Sequence, residues 1–145
     1  MTDNTAIEII SPNDNYQEAL DVRYEVFVKG QNVPEDLEQD GEDENCTHFL
    51  ISLGEKPVGA GRLRPIDEGT IKIERMAVLP EYRNAGYGRQ MLDHMLEFAR
   101  DKNYQKAILH AQLPAVHFYE YARFKKVGDI FYEAGIPHIS MEKEL

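Results

Sequence analysis

The chain has 145 residues, 42% of them hydrophobic and 29% charged, a composition that suits one folded globular unit and excludes a disordered or fibrous chain. Its net charge of −10, without a basic block, excludes duplex nucleic acid and anionic membranes as expected partners, because both are bound by neutralising phosphates with Lys and Arg. The single Cys46 excludes an internal disulfide and Cys-rich zinc modules, and no apolar run approaches the ~18 residues of a membrane span.

The polar start Met1-Thr2-Asp3-Asn4 lacks a secretory pattern, so a cytoplasmic location is expected. No repeat, low-complexity tract or linker interrupts residues 1–145, which read as a single domain. Residues 6–10 read as a short strand ending at Ser11-Pro12. A helix is expected over about 14–29, with Leu20, Tyr24 and Phe27 as its apolar stripe and Gly30 near its end. From Glu35 to Glu44 come seven acidic residues and no basic one, which reads as a solvated polar loop. Such a cluster also points weakly to a cationic substrate.

Residues 47–53 and 57–66 read as a hairpin around Gly54-Glu55-Lys56, and Asp67-Glu68-Gly69 turns the chain into a fourth strand over 70–79. There Ile71 and Ile73 alternate with Lys72 and Glu74, and then Met76-Ala77-Val78-Leu79 is wholly apolar. That change marks a strand passing from a half-exposed region into the interior. Pro80 closes it. A helix over about 86–102 carries Met91, Leu92, Met95, Leu96 and Ala99 on one face. Residues 106–111 form a fifth strand, and Pro114 opens a helix that points Ala115, Phe118, Tyr119 and Ala122 at the core. Strands over 127–132 and 138–142 complete the chain. This order, β-α-β-β-β-α-β-α-β-β, implies an α/β (α+β) fold with helices on a mixed sheet. The fourth and fifth strands should run parallel, because a whole helix separates them.

The stretch that carries chemistry runs from Met76 to Arg89 as strand, tight loop and helix, with Arg83-x-x-Gly86-x-Gly88 at the helix entry. Glycine permits positive φ and lets backbone N–H groups approach a ligand without a Cβ in the way. The first turn of a helix leaves its N–H groups unpaired at the positive end of the macrodipole. Together they can cradle a phosphate or pyrophosphate. The spacing is neither the G-x-G-x-x-G of dinucleotide folds nor a Walker loop. The two glycines alone are equally consistent with a closely packed helix entry.

Val78-x-Pro80-x-Tyr82-Arg83-x-x-Gly86-x-Gly88 resembles the acetyl-CoA loop of the GNAT N-acetyltransferase superfamily. Ala115-x-x-Phe118-Tyr119-Glu120-x-x-x-Phe124 resembles a later helix of that family. The small ElaA-type bacterial subgroup is resembled by Arg23-x-x-Val26-Phe27-Val28-x-x-Gln31-x-Val33-Pro34 with Asp40, Asp43 and His48, and by Glu133-x-Gly135-Ile136-x-His138-x-x-Met141. Three departures stand out: Asn84 where the family often has Gly, Arg123 at a common Gly before Phe124, and Lys72 where some protein-acetylating members place a catalytic Glu.

The resemblance implies a mostly antiparallel sheet of six to seven strands whose central parallel pair splays apart to admit the pantetheine arm of acetyl-CoA. Backbone groups of Met76, Ala77 and Val78 would pair with that arm, one N–H facing the thioester oxygen. Arg83, Asn84, Ala85, Gly86, Tyr87, Gly88 and Arg89 would hold the pyrophosphate. Gln112 stands in the place of a family Asn that contacts the cofactor or a water. An amine, small or peptidic, would attack the thioester directly, with Tyr119 as the acid toward the sulfur; a phenol of pKa ~10 keeps its proton at neutral pH. For the general base the residues leave His110, Glu74 and, third, His117 open; an imidazole of pKa ~6.5 suits the task. The resemblance requires no metal, and the family is often dimeric. Asp40, Asp43 and His48 match no ligand spacing and are expected as loop contacts or acceptor-side wall, while Cys46 has no neighbouring base to activate it. Each catalytic candidate can instead be structural, Tyr119 as a core aromatic included, so a non-catalytic acyl-CoA-binding module of the same fold is the alternative.

Overall fold

The apolar runs and alternations form seven strands of one sheet in the structure, a computed structural model that describes residues 4–145. Met1, Thr2 and Asp3, part of the polar start, lie outside the described residues. The strands are β1 (Thr5–Ile10), β2 (Thr47–Leu53), β3 (Lys56–Pro65), β4 (Thr70–Val78), β5 (Lys106–Gln112), β6 (Lys125–Glu133) and β7 (Ile136–Glu144). The helices are α1 (Gln17–Arg23), α2 (Glu35–Glu38), α3 (Tyr87–Asp101) and α4 (Val116–Tyr121). Side by side the strands run β1-β2-β3-β4-β5-β7-β6. Only β4 and β5 are parallel, because α3 carries the chain back across the sheet between them. This is the mixed, mostly antiparallel sheet expected from the sequence.

The expected face of α3 is the buried one. Met91, Leu92 and Met95 are fully buried against Ile71, Ile73, Leu109 and Met141, each side chain contributing roughly 1.5–3 kcal/mol by leaving water. Gly61 of β3 lies beneath this helix. A Cβ there would stand 2.9 Å from the Met76 sulfur and 3.1 Å from Met95, so the strand carries no side chain at that point. The opposite face of the sheet holds a second core, with Ala19, Val22 and Val26 on Leu50, Ala60 and Ala77.

Two expectations are corrected. The helix expected over 14–29 is α1 followed by a widened π turn over Tyr24–Lys29, in which the Gly30 N–H bonds to the Glu25 carbonyl five residues back. The buried face holds Ala19, Val22, Arg23 and Val26, and Tyr24 of the expected stripe stays 39% exposed. The acidic segment is solvated only in part. Glu35, Asp36, Asp40 and Glu44 are exposed, but the chain folds into α2 and a 3-10 turn over Asp43–Asn45, with Glu38 buried, because arginines elsewhere in the fold neutralise Glu38, Asp40 and Asp43.

One irregularity positions the site. β4 and β5 pair only from Thr70↔Lys106 to Ile73↔Leu109. Beyond that, Arg62 of β3 faces Glu74 while Ala60 faces Ala77, so β4 carries one extra residue, and Arg75 takes φ +58°. Such a bulge bends its strand, and here β4 leaves β5. It also places Lys72, Glu74 and Arg75 on the α1 face, while Ile71, Ile73 and Met76 pack on the α3 side.

Candidate active site

A cleft of about 710 Å³ opens where β4 and β5 part. Met76, Ala77 and Val78 line it from β4, and His110, Ala111 and Gln112 from β5. Tyr119 closes it from α4, Phe27 and Gln31 border it on the α1 side, and Glu133 and His138 border it from the β6–β7 hairpin.

At the end of β4 the chain enters the glycine loop. Tyr82 and Arg83 donate their backbone N–H groups to Leu79 and Pro80. From Asn84 to Arg89 no backbone N–H finds an acceptor among the described residues, and no side chain caps α3. Asn84 (φ +62°) and Gly86 (φ +88°) both have left-handed backbone, a geometry that turns successive N–H groups into an anion-holding concavity. Nothing lies within 4 Å of a Cβ built on Gly86, so conformation selects glycine there rather than close packing. Arg83 Nε donates to the Val78 carbonyl at 2.8 Å, so that carbonyl is already engaged.

Tyr119 is 7% exposed and packs edge-on to Phe118 and Phe124. Its hydroxyl has no hydrogen-bond partner among the described residues, and burial pushes its pKa well above the ordinary phenol range. His110 Nδ1 lies 2.6 Å from Glu133 Oε1. A carboxylate only accepts, so Nδ1 carries the hydrogen, and in the neutral ring Nε2 is the acceptor. Phe131 meets the same ring edge-on at 4.9 Å, and His138 Nε2 lies 4.0 Å from the second oxygen of Glu133. Glu133 therefore orients His110; the sequence marked it only as part of a subgroup motif.

Glu74 is a poor base. It pairs with Arg62 at 3.0 Å, Arg64 at 2.9 Å and Lys72 at 3.2 Å. Burial alone would raise its pKa, but hydrogen bonding from Arg64 and the charges of Arg62 and Lys72 outweigh that and hold it at about 2. His117 is 88% exposed, beside Glu120, away from the cleft-lining residues. The Gln112 and Gln31 amides bond reciprocally at 2.9 and 3.4 Å, tying the end of β5 to the segment after α1. Cys46 is buried with its thiol on the Glu42 carbonyl, and burial pushes its pKa up to about 11, which removes it as a nucleophile.

Beneath the α1-side wall lies an ionic network that no sequence pattern announced. Arg23, fully buried, reaches Glu38 at 2.7 Å and Asp43 at 2.8 Å. Arg62, also fully buried, reaches Asp40 at 2.7 Å and Asp43 at 2.9 Å, besides Glu74. Arg75 bonds the Glu38 carbonyl at 3.1 Å and Asp40 at 3.3 Å. Asp40 and Asp43 are thus wall and loop contacts. His48 is buried, stacked on Tyr16, with Nε2 donating to the Asp43 carbonyl.

Residues 10–145 match the sequence model of the acetyltransferase (GNAT) domain. The chain belongs to the GNAT family. A Bacillus subtilis relative, described as the uncharacterized N-acetyltransferase YjcF, is 40% identical over 138 residues, covering 94% of this chain and 98% of that protein. The crystal structure of Escherichia coli ElaA superposes with a TM-score of 0.86 at 26% identity, over 97% of this chain and 99% of ElaA. A GNAT acetyltransferase from Elizabethkingia anophelis, solved with acetyl-CoA bound, shares the fold at TM-score 0.76 and 19% identity, over 99% of this chain and 100% of that one. Within the GNAT pattern, Asn84 and Arg123 replace frequent glycines yet keep a glycine-like backbone, with φ +62° and +75°.

Proposed function

We propose that this GNAT protein transfers an acetyl group from acetyl-CoA to a primary amine. One observation carries the reading: the cleft opened by the β4 bulge is lined as far as Arg83, and the loop that follows, 84–89, has backbone N–H groups that lack acceptors among the described residues. An unpaired row of amides at a helix start suits a pyrophosphate, and unpaired β4 backbone beside it suits an extended, amide-bearing arm. The E. anophelis neighbour was solved with acetyl-CoA, which supports the same ligand here. The fit of these residues to that molecule also resolves its charge problem, since a chain of net charge −10 needs a local positive site to hold a polyanion.

Acetyl-CoA, when bound, supplies the thioester, whose C–S bond breaks as a C–N bond to the amine forms. Loop 83–89 anchors the phosphate end, chiefly through its backbone amides. Backbone groups of β4 over 76–78 orient the arm, and an N–H on the edge turned toward β5 faces the carbonyl oxygen as negative charge develops there. His110 Nε2 accepts the proton the amine loses, with Glu133 holding the ring in the right tautomer. Tyr119 donates its hydroxyl toward the departing sulfur, which leaves as the thiol, and the phenol regains its proton from solvent in the cleft. Glu74 keeps its charge and is assigned no proton transfer. Gln112 holds the cleft's far edge through Gln31.

Acetyl-CoA is expected to raise the melting temperature of the protein and to release thiol with members of a primary-amine panel. Tyr119→Phe should lower kcat by roughly 10²–10⁴-fold while leaving coenzyme affinity unchanged. Tight coenzyme binding with no thiol release from any amine would overturn the enzymatic reading, and absence of binding at millimolar coenzyme would overturn the cleft reading with it.

A further inference from the structure

The acidic segment suggests a cationic acceptor, but its cleft-facing carboxylates are already paired with arginines. We propose instead that the acceptor amine carries a carboxylate, and that Lys72 and Arg64 hold it; this rests on the acetyltransferase reading above.

Five cations, Arg23, Arg62, Arg64, Lys72 and Arg75, meet four carboxylates in the α1-side wall. Glu38, Asp40 and Asp43 are taken up by Arg23, Arg62 and Arg75. Glu74 alone is left to serve Arg62, Arg64 and Lys72. Its Oε1 accepts Arg62 Nη2 at 3.0 Å and Arg64 Nε at 2.9 Å, and its Oε2 lies 3.3 Å from Arg64 Nη2 and 3.2 Å from Lys72 Nζ. A carboxylate offers about four acceptor sites, so Glu74 is saturated, whereas an ammonium has three donors and a guanidinium five. Lys72 Nζ has Glu74 as its one partner among the described residues, and Arg64 Nη1 has none.

Exposure separates the two kinds of cation. Arg23 and Arg62 are at 0% and serve the interior, while Lys72 and Arg64 remain 13% and 27% exposed and line the cleft. Surplus donors in a partly dry cleft hold an oxyanion by charge-assisted hydrogen bonds. The spacing fits a small molecule. Lys72 is in register with Ile108, and His110 lies two residues further along β5 on the same face, which separates the two backbone positions by about 8 Å. A short amino carboxylate can place its nitrogen at His110 and its anion at Lys72.

The test uses matched sets of primary amines: amino carboxylates of several lengths, their carboxamides, and diamines of equal length. The carboxylates should be favoured by at least roughly tenfold in kcat/KM, the scale of one hydrogen bond to a charged group. Lys72→Met should bring that ratio near one, and Lys72→Arg should restore most of it. Calorimetry without coenzyme gives an independent readout: carboxylate binding to the wild-type protein that is weakened in Lys72→Met supports the site. Equal or better use of carboxamides or diamines overturns it, as does a folded Lys72→Met protein that keeps the preference, or no carboxylate binding where nothing is turned over. Failure of the acetyltransferase reading looks different, since acetyl-CoA then neither stabilises the protein nor releases thiol, and calorimetry still decides the anion site.

Discussion

At Gly86 the backbone has φ +88° with open space where a Cβ would go, whereas a Cβ on Gly88 would rest 3.5 Å from the Phe118 ring in ordinary contact. The two glycines should therefore respond differently to the same change. Gly86→Ala forces a side chain into left-handed backbone, at roughly 1–2 kcal/mol, or turns the amides of the loop aside. Thermal melts should show the stability loss, and calorimetry should show coenzyme affinity down by roughly tenfold, the worth of one charge-assisted hydrogen bond. Gly88→Ala should stay within about 1 kcal/mol of the parent, since Ala is the better helix former. An equal loss of affinity from both changes would mean that the loop does not hold the ligand by its backbone. The spacing of these glycines was legible in the sequence, whereas Arg123, a departure that allowed a changed turn, keeps left-handed backbone at φ +75°. What the sequence left open at this scale was the choice of base, because the ion pairs of Glu74 with Arg62 and Arg64 and the hydrogen bond from His110 to Glu133 join different strands.

The elements with strong local periodicity formed where expected. The stripe of α3 and the hairpin of β2 and β3 follow from spacing of apolar residues, and the parallel partnership of β4 with β5 from the helix between them. The β4 bulge left a trace that could have been followed: after Ile71 and Ile73 the next inward position holds Arg75, and the apolar pattern resumes one residue late at Met76. The π turn after α1 and the folding of the acidic segment had no comparable local sign. The acidic segment depends on Arg23 and Arg62, whose burial is decided by partners far along the chain. Arg62→Met should accordingly cost about 3–5 kcal/mol, since it removes the one buried cation that Asp40, Asp43 and Glu74 share. Lys29→Ala, which removes an exposed pair with Glu25, should cost under about 0.5 kcal/mol. Chemical denaturation of the two variants checks the contrast, and similar losses in both would show that the network contributes no special stability.

For the molecule as a whole, the buried carboxylates set an acid limit. Arg62 and Arg23 hold Asp40 and Asp43 below the usual carboxylate range against the opposing effect of burial, and Glu74 is held at about 2. These groups bind protons more readily unfolded than folded, so their contribution is complete above pH 4.5 and is lost as pH falls toward 2. His48 adds an earlier loss. Burial lowers its pKa below the ordinary 6.5, so acid favours the unfolded, protonated form from that pH downward. Urea melts between pH 7 and 3 should show stability declining in these two stages, with the second stage blunted in Arg62→Met, and a flat profile would contradict the ion pairing. Across its middle the sheet is joined by four residue pairs alone, Thr70–Lys106 through Ile73–Leu109. The halves on either side of this seam resemble two plates soldered at one end. Lys72 and the β4 amides ride on one plate, His110 and Tyr119 on the other, and a molecule lodged between them acts as the rivet that brings the two sets of groups into alignment.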